Sequence, residues 1–224
     1  MCKEKERFIL FDLDGTLIDS GRGVMNCVTY ALEKFDIHPT DREELHPYIG
    51  PPLLYAFQQY HGLSEEQAEQ ALAYYRERYT VKGLYENDVY TGLYETLSCL
   101  RERGVHLLVA TSKPEEFVKR ILPHYDLDTY FEFVSGDTFD KKRPNKEAVI
   151  AYIKQQYPSI SSDNTLMVGD TKYDVLGAHA CDLPVVGVLY GYGEREEMLA
   201  CGVDMLATDM ADLRRILLDW IAGV

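Results

Sequence analysis

Positive charge is scarce in this sequence. Its 23 lysines and arginines stand against 37 aspartates and glutamates, which gives a formal net charge of -14 at pH 7. Nucleic acids and anionic membrane surfaces are both bound through basic faces. The shortage therefore predicts that neither nucleic acid nor a membrane is a partner of this protein.

Long apolar runs are also missing. No apolar stretch approaches the roughly 18 residues that a membrane-spanning helix requires. The segment from Met1 to Arg7 is charged, and the apolar stretch after it is interrupted at Asp12, which argues against a signal peptide. We therefore predict a cytoplasmic location.

The usual metal-binding patterns of cysteine and histidine are absent too. No cysteine pair has the CxxC spacing, and none of the six histidines stands in an HxH or HxxxH pattern, so a zinc site is not predicted. An odd number of scattered cysteines indicates reduced, mostly buried thiols rather than a disulfide framework. The five are Cys2, Cys27, Cys99, Cys181 and Cys201.

The sequence has ample apolar content for a packed core. With 224 residues, 46% of them hydrophobic, it fits one large domain or a core with a smaller insert. Short apolar runs alternate with helical patterns, which predicts an α/β fold with a parallel sheet, helices on both faces and functional residues at the carboxyl ends of the strands. The predicted strands are Phe8–Phe11, Val105–Ala110, Phe131–Val134, Thr165–Val168 and Leu183–Val188.

The segment from residue 19 to residue 85 differs from the rest, because only helical patterns occur in it. Apolar residues recur at helical spacing from Val24 to Phe35. Capping-box pairs and a proline pair then mark further helix starts. These starts are Thr40 with Glu43, Pro51–Pro52, and Ser64 with Gln67.

This all-helical insert divides the chain into two predicted domains. Residues 1–18 and 86–224 form an α/β core, and residues 19–85 form a cap domain. The glycines and polar residues at 20–23 and 82–88 predict hinges between them. A helical subdomain without a gating role is the alternative.

The end of the first strand carries two carboxylates, because Phe8–Phe11 is followed by Asp12, Asp14 and Gly15. Burying a carboxylate beside a strand end costs on the order of several kcal/mol unless a cation or a partner compensates. The pair therefore indicates a bound cation and a reaction. The alternative is a turn that closes a hairpin, since Asp-Gly is a common turn dipeptide.

A second pattern follows the strand Val105–Ala110, where Thr111 and Ser112 precede a helix start at Pro114. Hydroxyl and backbone N–H donors at a helix N-terminus are well suited to an anion. An anion site is therefore predicted at Thr111. A simple helix cap is the alternative.

A third pattern is the basic cluster of Lys141, Lys142, Arg143 and Lys146. A cation here would reduce the repulsion between a buried carboxylate and a bound anion. A solvated run of charge is the alternative for Lys141 and Lys142.

A fourth pattern follows the strand Thr165–Val168. Gly169 leaves the backbone room to turn, and Asp170 and Asp174, four residues apart, can face the same way on an entering helix. Two metal ligands are predicted. A capped helix with two acids in its first turn is the alternative.

The order of these patterns resembles that of the haloacid dehalogenase-like phosphatases. Asp12–Leu17 is similar to the family's first signature, DxDGT[LV]; Thr111 is similar to the second, and Gly169–Asp174 to the GDxxxD form of the fourth. The third departs from the common KPxP form and resembles a branch with an R-x-x-K-x-x-V-I string, which selects Lys146, with Arg143 as the alternative. The resemblance implies a Rossmann-like parallel sheet core with an all-helical cap inserted after the first signature.

The resemblance also implies a Mg2+-dependent phosphatase that works through an aspartyl-phosphate intermediate. Asp12 would be the nucleophile, and Asp14 would act as acid and then as base. The metal would be held by Asp12, the backbone carbonyl of Asp14, and Asp170. Asp174 would support it directly or through water.

The same resemblance implies how the substrate is held. Thr111, Ser112 and Lys146 would bind the phosphoryl oxygens. Gly50 and Pro51 resemble the family's substrate-facing cap loop. Closure of the cap would exclude bulk water during the first step.

The substrate is expected to be a small phosphorylated metabolite. Tyr85–Gly92 and the R-x-x-K string are most similar to proteins labelled phosphoglycolate phosphatase-like. A phosphosugar mutase of the beta-phosphoglucomutase-like kind, a nucleotidase and a pyrophosphatase are alternatives. A non-enzymatic receiver-like module is a remote one, because receivers are near half this length and lack both the insert and the second aspartate. The sequence leaves the oligomeric state undetermined.

Overall fold

A computed structural model describes residues 6–49, 53–140 and 142–223. The chain divides into two compact units. One comprises the described residues of Met1–Ile18 and Val89–Val224, and the other those of Asp19–Asp88. The second unit ends at Asp88. The sequence predicted that the helical insert ends at residue 85.

The first unit is built on a six-stranded parallel sheet, whose strands are β1 Phe8–Phe11, β4 His106–Pro114, β5 Phe133–Asp137, β6 Thr165–Gly169, β7 Val185–Val188 and β8 Met205–Ala207. Their order across the sheet is β5-β4-β1-β6-β7-β8. Strands β1, β6 and β7 are buried along their whole length, which is why they appear in the sequence as apolar runs without alternation.

Helices surround this sheet, and the predicted α/β class with a parallel sheet is confirmed. Leu93, Leu97 and Leu100 all lie on the buried side of one helix, as their spacing predicts. The helices of this unit are α4 Leu93–Glu102, α5 Glu115–His124, α6 Lys146–Gln156, α7 Lys172–Ala180, α8 Arg195–Ala200 and α9 Met210–Ala222.

The register of the sheet brings distant parts of the sequence together. Phe11, the last residue of β1, lies opposite Val109 of β4 and Val168 of β6. The residues that come next along the chain, at or just beyond the carboxyl ends of these strands, therefore lie side by side at one edge of the sheet. The edge carries Asp12, Thr111 and Asp170.

The second unit is helical in the part that the structure describes, apart from one strand residue at each end. Its elements are α1 Gly21–Glu33, a 3-10 helix Arg42–Tyr48, α2 Leu53–His61, α3 Glu65–Tyr79 and a 3-10 helix Gly83–Tyr85. The capping box at α3 is confirmed: Ser64 Oγ accepts from Gln67 N at 3.2 Å, and Gln67 Oε1 accepts from Ser64 N at 3.0 Å.

One local prediction for this segment needs correction. The helix predicted to start at Thr40 is a 3-10 helix, Arg42–Tyr48. It contains Pro47, whose ring and missing N–H disfavour an α-helix. Gly21 and Gly23 lie in the first turn of α1. A Cβ at Gly23 would lie 2.4 Å from the carbonyl oxygen of Gly83, so this glycine permits close packing. The hinge at residues 20–23 stays a prediction.

The sequence also missed three strands and misplaced the edges of others. Ile18–Asp19 (β2) and Asp88–Val89 (β3) form a separate two-stranded sheet, and β8 is the sixth strand of the large one. Strand β4 runs on to Pro114, with a register shift against β5 between Ala110 and Pro114, so Pro114 precedes α5 instead of lying in its first turn. Such irregularities redirect side chains at the end of a strand.

Two further features concern the predicted environment of the chain. The cysteines in the described region are free, but only Cys27 and Cys181 are buried, so the prediction of mostly buried thiols holds for these two alone. Among the described helices, none is both long and apolar enough to cross a membrane.

Candidate active site

Three aspartates lie together where strands β1 and β6 end. Asp12, Asp170 and Asp174 each place a carboxylate oxygen within 4.8 Å of the others, and all three are buried. The backbone N–H of Asp12 donates to Val168 O at 2.9 Å, which fixes Asp12 as a continuation of its strand. Asp170 directly follows β6, and Asp174 lies in the first turn of α7.

Burial disfavours the ionised form of two of these carboxyl groups. Burial raises the pKa of Asp12 to about 6, and Asp174 adds to the rise, while Lys146 opposes it. Burial, followed by the charges of Asp174 and Asp12, raises the pKa of Asp170 well above its usual range. A cation in this cluster would therefore have to displace protons.

Lys146 compensates part of this negative charge. Its Nζ lies 2.8 Å from Asp12 Oδ1 and 2.7 Å from Asp174 Oδ1, and it donates to Ala110 O at 2.9 Å. Burial alone would lower the pKa of Lys146, but the two carboxylates raise it above its usual range. The lysine opens α6, whose N-terminus is capped by Asn145, and only 4% of its surface is exposed.

The other cations of the basic cluster that the structure describes lie elsewhere. Arg143 pairs with Glu115 at 2.6 Å and stacks over the ring of Tyr152 at 4.3 Å. Lys142 pairs with Asp140 in an exposed loop. Lys141 lies outside the described residues.

Two hydrogen bonds from Thr171 orient the carboxylate of Asp174. Its Oδ2 accepts hydrogen bonds from both the backbone N–H and the hydroxyl of Thr171, at 3.0 and 2.9 Å. It thus caps α7, and its other oxygen, Oδ1, faces Lys146. A Cβ at Gly169 would lie 2.2 Å from Asp174 Cγ, so the glycine is needed for this close approach.

Asp170 is oriented by a loop after β7. Its Oδ2 accepts a hydrogen bond from the backbone N–H of Tyr192 at 2.8 Å. The neighbouring Gly191 allows the close approach, because a Cβ there would lie 2.4 Å from Asp170 Cβ. Asp170 Oδ1 is buried and has no hydrogen-bond partner among the described residues. An unsatisfied buried carboxylate oxygen is a natural place for a metal ligand bond.

Asp14 has a partner that sequence reasoning missed. Its Oδ1 and Oδ2 lie 2.6 and 2.9 Å from Lys113 Nζ, and the lysine side chain is only 8% exposed. The position of Lys113, two residues after Thr111, could have marked it as a candidate residue of the site. No local pattern indicates its partner, however, because Asp14 lies 99 positions away in the sequence.

Thr111 and Ser112 occupy the irregular end of β4. Thr111 is buried, and its hydroxyl oxygen accepts a hydrogen bond from the backbone N–H of Lys113 at 3.2 Å. Ser112 is exposed. Two other predicted positions, Gly50 and Pro51, lie outside the described residues.

Charge balance fits a divalent cation. With the carboxyl groups of Asp12, Asp14, Asp170 and Asp174 ionised, the two paired lysines leave two formal negative charges in the cluster. Carboxylate and carbonyl oxygens are the ligands that Mg2+ prefers. The donor set of the described cluster is therefore suited to that ion.

Comparisons with known proteins agree with this arrangement. Residues 9–188 match the model of the haloacid dehalogenase-like hydrolase family. The chain is 40% identical over 209 residues to a 5'-nucleotidase of Pseudomonas aeruginosa, which covers 93% of this chain and 94% of the relative. It is 31% identical over 215 residues to phosphoglycolate phosphatase 1 of the same organism, covering 92% and 78%.

A solved structure shows the same architecture. It is that of a predicted phosphatase from Clostridium acetobutylicum, with 42% identity, a TM-score of 0.86 and coverage of 96% of this chain and 99% of the other. These relatives are phosphoric monoester hydrolases by name, and they share the family whose signatures the sequence carries. The chain therefore belongs to the haloacid dehalogenase-like hydrolase family and is a phosphatase of the kind that acts on phosphoric monoesters.

Proposed function

We propose that this protein is a Mg2+-dependent phosphatase that hydrolyses a small phosphomonoester through an aspartyl-phosphate on Asp12. The observation that carries the proposal is the position of the Asp12 carboxylate. It is buried, in contact with Lys146, and within 4.8 Å of two further carboxylates. A carboxylate nucleophile needs a cation beside it and ligands for a metal nearby, because the carboxylate and the phosphoryl group that it attacks are both anionic.

Magnesium would be held by Asp12 and Asp170, with the backbone carbonyl of Asp14 and the support of Asp174. The unsatisfied Oδ1 of Asp170 supports this assignment. When bound, the ion would neutralise negative charge on the carboxylates and on the phosphoryl oxygens.

The first step forms a bond between Asp12 and phosphorus and breaks the ester bond between phosphorus and the leaving oxygen. That oxygen keeps the bonding electrons and takes a proton from Asp14. In the second step a water molecule gives a proton to Asp14, and its oxygen attacks phosphorus. The bond to Asp12 then breaks, and inorganic phosphate is released.

Lys146, Thr111 and Ser112 would hold the phosphoryl oxygens during both steps. Lys146 is already oriented by three oxygen contacts, which include the Ala110 carbonyl at the end of the regular part of β4. A preorganised donor of this kind stabilises developing charge without further rearrangement. Removing one such donor typically costs about 100-fold or more in turnover.

Nucleoside 5'-monophosphates are the substrates we place first, and phosphoglycolate second. The basis is the higher identity to the 5'-nucleotidase, 40% against 31% for the phosphoglycolate phosphatase. Both are small phosphomonoesters, so the same chemistry at Asp12 serves either. The order therefore concerns specificity and leaves the reaction unchanged.

The test is phosphate release from a panel that contains nucleoside 5'-monophosphates, phosphoglycolate, sugar phosphates and p-nitrophenyl phosphate, with Mg2+ and with EDTA. We expect Mg2+-dependent release that is abolished by Asp12→Asn, while circular dichroism of the variant stays unchanged. Activity retained in Asp12→Asn would exclude Asp12 as the nucleophile. Absence of release from every ester by the unmodified protein would contradict the phosphatase proposal.

A further inference from the structure

Lys113 and Asp14 form a contact that the chemistry described so far does not use. The ammonium group touches both carboxylate oxygens, at 2.6 and 2.9 Å. Contact with both oxygens fixes the direction of a carboxylate more tightly than contact with one. The lysine side chain is 8% exposed and that of Asp14 28%, so the pair is partly withdrawn from solvent.

The backbone around Lys113 is itself held in place. Its N–H donates to the hydroxyl oxygen of Thr111, and its carbonyl oxygen would be only 2.4 Å from a Cβ at Gly136 of β5. These contacts occur where β4 and β5 lose their regular register. Such an irregularity can direct a side chain towards a site beside the sheet.

The two lysines of the site contact different carboxylates. Lys146 contacts Asp12 and Asp174, whereas Lys113 contacts Asp14. The division matches the two tasks proposed for Asp12 and Asp14, since one attacks phosphorus and the other transfers protons. An acid-base group must be held in a defined direction to reach the leaving oxygen.

We infer that Lys113 is a positioning residue for this reaction: it orients the Asp14 carboxylate for proton transfer to and from the reacting oxygens. The inference rests on the proposed phosphatase mechanism. It assigns Lys113 no contact with the substrate. Two other roles lead to different results: a salt bridge with no part in the reaction, and a direct ligand of the substrate phosphoryl group.

The choice of leaving group separates these roles. An alkyl phosphate such as a nucleoside 5'-monophosphate has a poor leaving group that needs a proton, whereas p-nitrophenolate leaves without one. Because kcat/KM reports the steps through formation of the aspartyl-phosphate, it isolates the proton donation by Asp14. A defect in Asp14 orientation should therefore appear mainly with the alkyl ester.

The experiment compares Lys113→Met with the unmodified protein on both kinds of ester. General acid catalysis contributes about 100-fold or more, so we expect kcat/KM for the alkyl ester to fall at least ~10-fold. For p-nitrophenyl phosphate we expect a fall of less than ~3-fold in kcat/KM. Lys113→Arg should recover part of the loss, because guanidinium can also contact both oxygens. Lys119→Met, which changes an exposed lysine of α5, is the matched control.

A double-mutant cycle with Asp14→Asn tests whether Lys113 acts through Asp14. Under single-turnover conditions, adding Lys113→Met to Asp14→Asn should change the rate with the alkyl ester by less than ~2-fold, because the carboxylate to be positioned is gone. Equal and independent losses in both backgrounds would overturn the inference. A rise in KM with unchanged kcat for both esters would also overturn it and would indicate phosphoryl binding.

The remaining outcomes are distinct from these. No change in Lys113→Met on either ester, with circular dichroism preserved, would leave only a structural ion pair and overturn the inference. If Lys113→Met fails to fold, Lys113→Arg and Lys113→Gln provide the same comparison of esters. An unmodified protein that hydrolyses no ester would instead contradict the phosphatase proposal itself, and this inference with it.

Discussion

Lys146 Nζ lies 2.8 Å from Asp12 Oδ1, although Asp12 follows β1 and Lys146 begins α6, the helix after β5. The contact is buried, and Lys146 Nζ also lies 2.7 Å from Asp174 Oδ1. One cation is thus shared by two carboxylates, so its removal affects both the charge balance of the site and any anion bound there.

Lys146→Ala should reduce kcat/KM by at least ~100-fold, whereas Arg143→Ala should reduce it less than ~10-fold. Arg143 contacts Glu115 and Tyr152 rather than the three buried aspartates, so its loss should act mainly on stability. Steady-state kinetics of both variants on the best ester of the panel, with thermal unfolding as a check of folding, gives the comparison. The reverse ranking would assign the phosphoryl-binding cation to Arg143.

Asp170→Asn should weaken Mg2+ binding and stabilise the metal-free protein. The substitution removes a buried charge that faces Asp12 and Asp174, so repulsion falls when no cation is present. Isothermal titration with Mg2+ and thermal unfolding in EDTA measure the two effects. Asp140→Asn, in an exposed loop, is the matched control. Unchanged Mg2+ affinity in Asp170→Asn would remove Asp170 from the ligand set.

The contribution of the buried carboxyl groups to the stability of the metal-free protein should fall as the pH rises from about 4 to about 6. The pKa of Asp12 is raised by burial from 3.8 to about 6, so between these two values the folded protein holds a proton that the unfolded chain gives up. The stabilisation is present in full below pH 3.8 and is lost as the pH passes 6. The carboxyl group of Asp170, whose pKa is also raised by burial, acts with the same sign.

Thermal unfolding in EDTA between pH 4 and pH 7.5 tests this dependence. Relative to Asp12→Asn, the unmodified protein should lose stability as the pH rises through this range, because the neutral amide does not titrate. Mg2+ should bind more tightly as the pH rises through 6, since it competes with the proton on Asp12. Identical pH profiles for the two proteins in EDTA would contradict the raised pKa of Asp12.

Ser64→Ala should lower the free energy of unfolding by about 1 kcal/mol, because it removes the hydroxyl oxygen that accepts from the backbone N–H of Gln67 at the start of α3. Ser64→Gly should lower the free energy of unfolding by only about a few tenths of a kcal/mol, since glycine is tolerated at an N-cap. Urea unfolding of both variants gives the difference. Equal stability of Ser64→Ala and the unmodified protein would indicate that the capping box does not hold in solution.

Local patterns in the sequence determined most of the fold. Apolar runs of four to six residues become buried strands when helices surround a parallel sheet, so the strands at Phe8–Phe11 and Thr165–Gly169 were recognisable without a structure. The capping box at Ser64 was equally local. The four signatures also indicated the candidate site residues, because their order along the chain resembles the order found in one family.

Contacts between distant residues were decided by the tertiary structure. The choice between Lys146 and Arg143 stayed open in the sequence, because three residues of separation do not say which side chain reaches the end of β1. The pairing of Lys113 with Asp14 across 99 positions depends on two adjacent strands, β1 and β4, and on the irregular end of β4.

Short-range irregularities also needed the structure. The 3-10 helix at Arg42–Tyr48 and the close packing at Gly23 depend on neighbours that a capping or hinge pattern does not include. The sequence by itself determined the elements and the candidate chemical groups, since both arise from local periodicity and residue type. Their directions and partners arose only when the sheet placed the ends of separate strands side by side, because that packing sets the distances between charges.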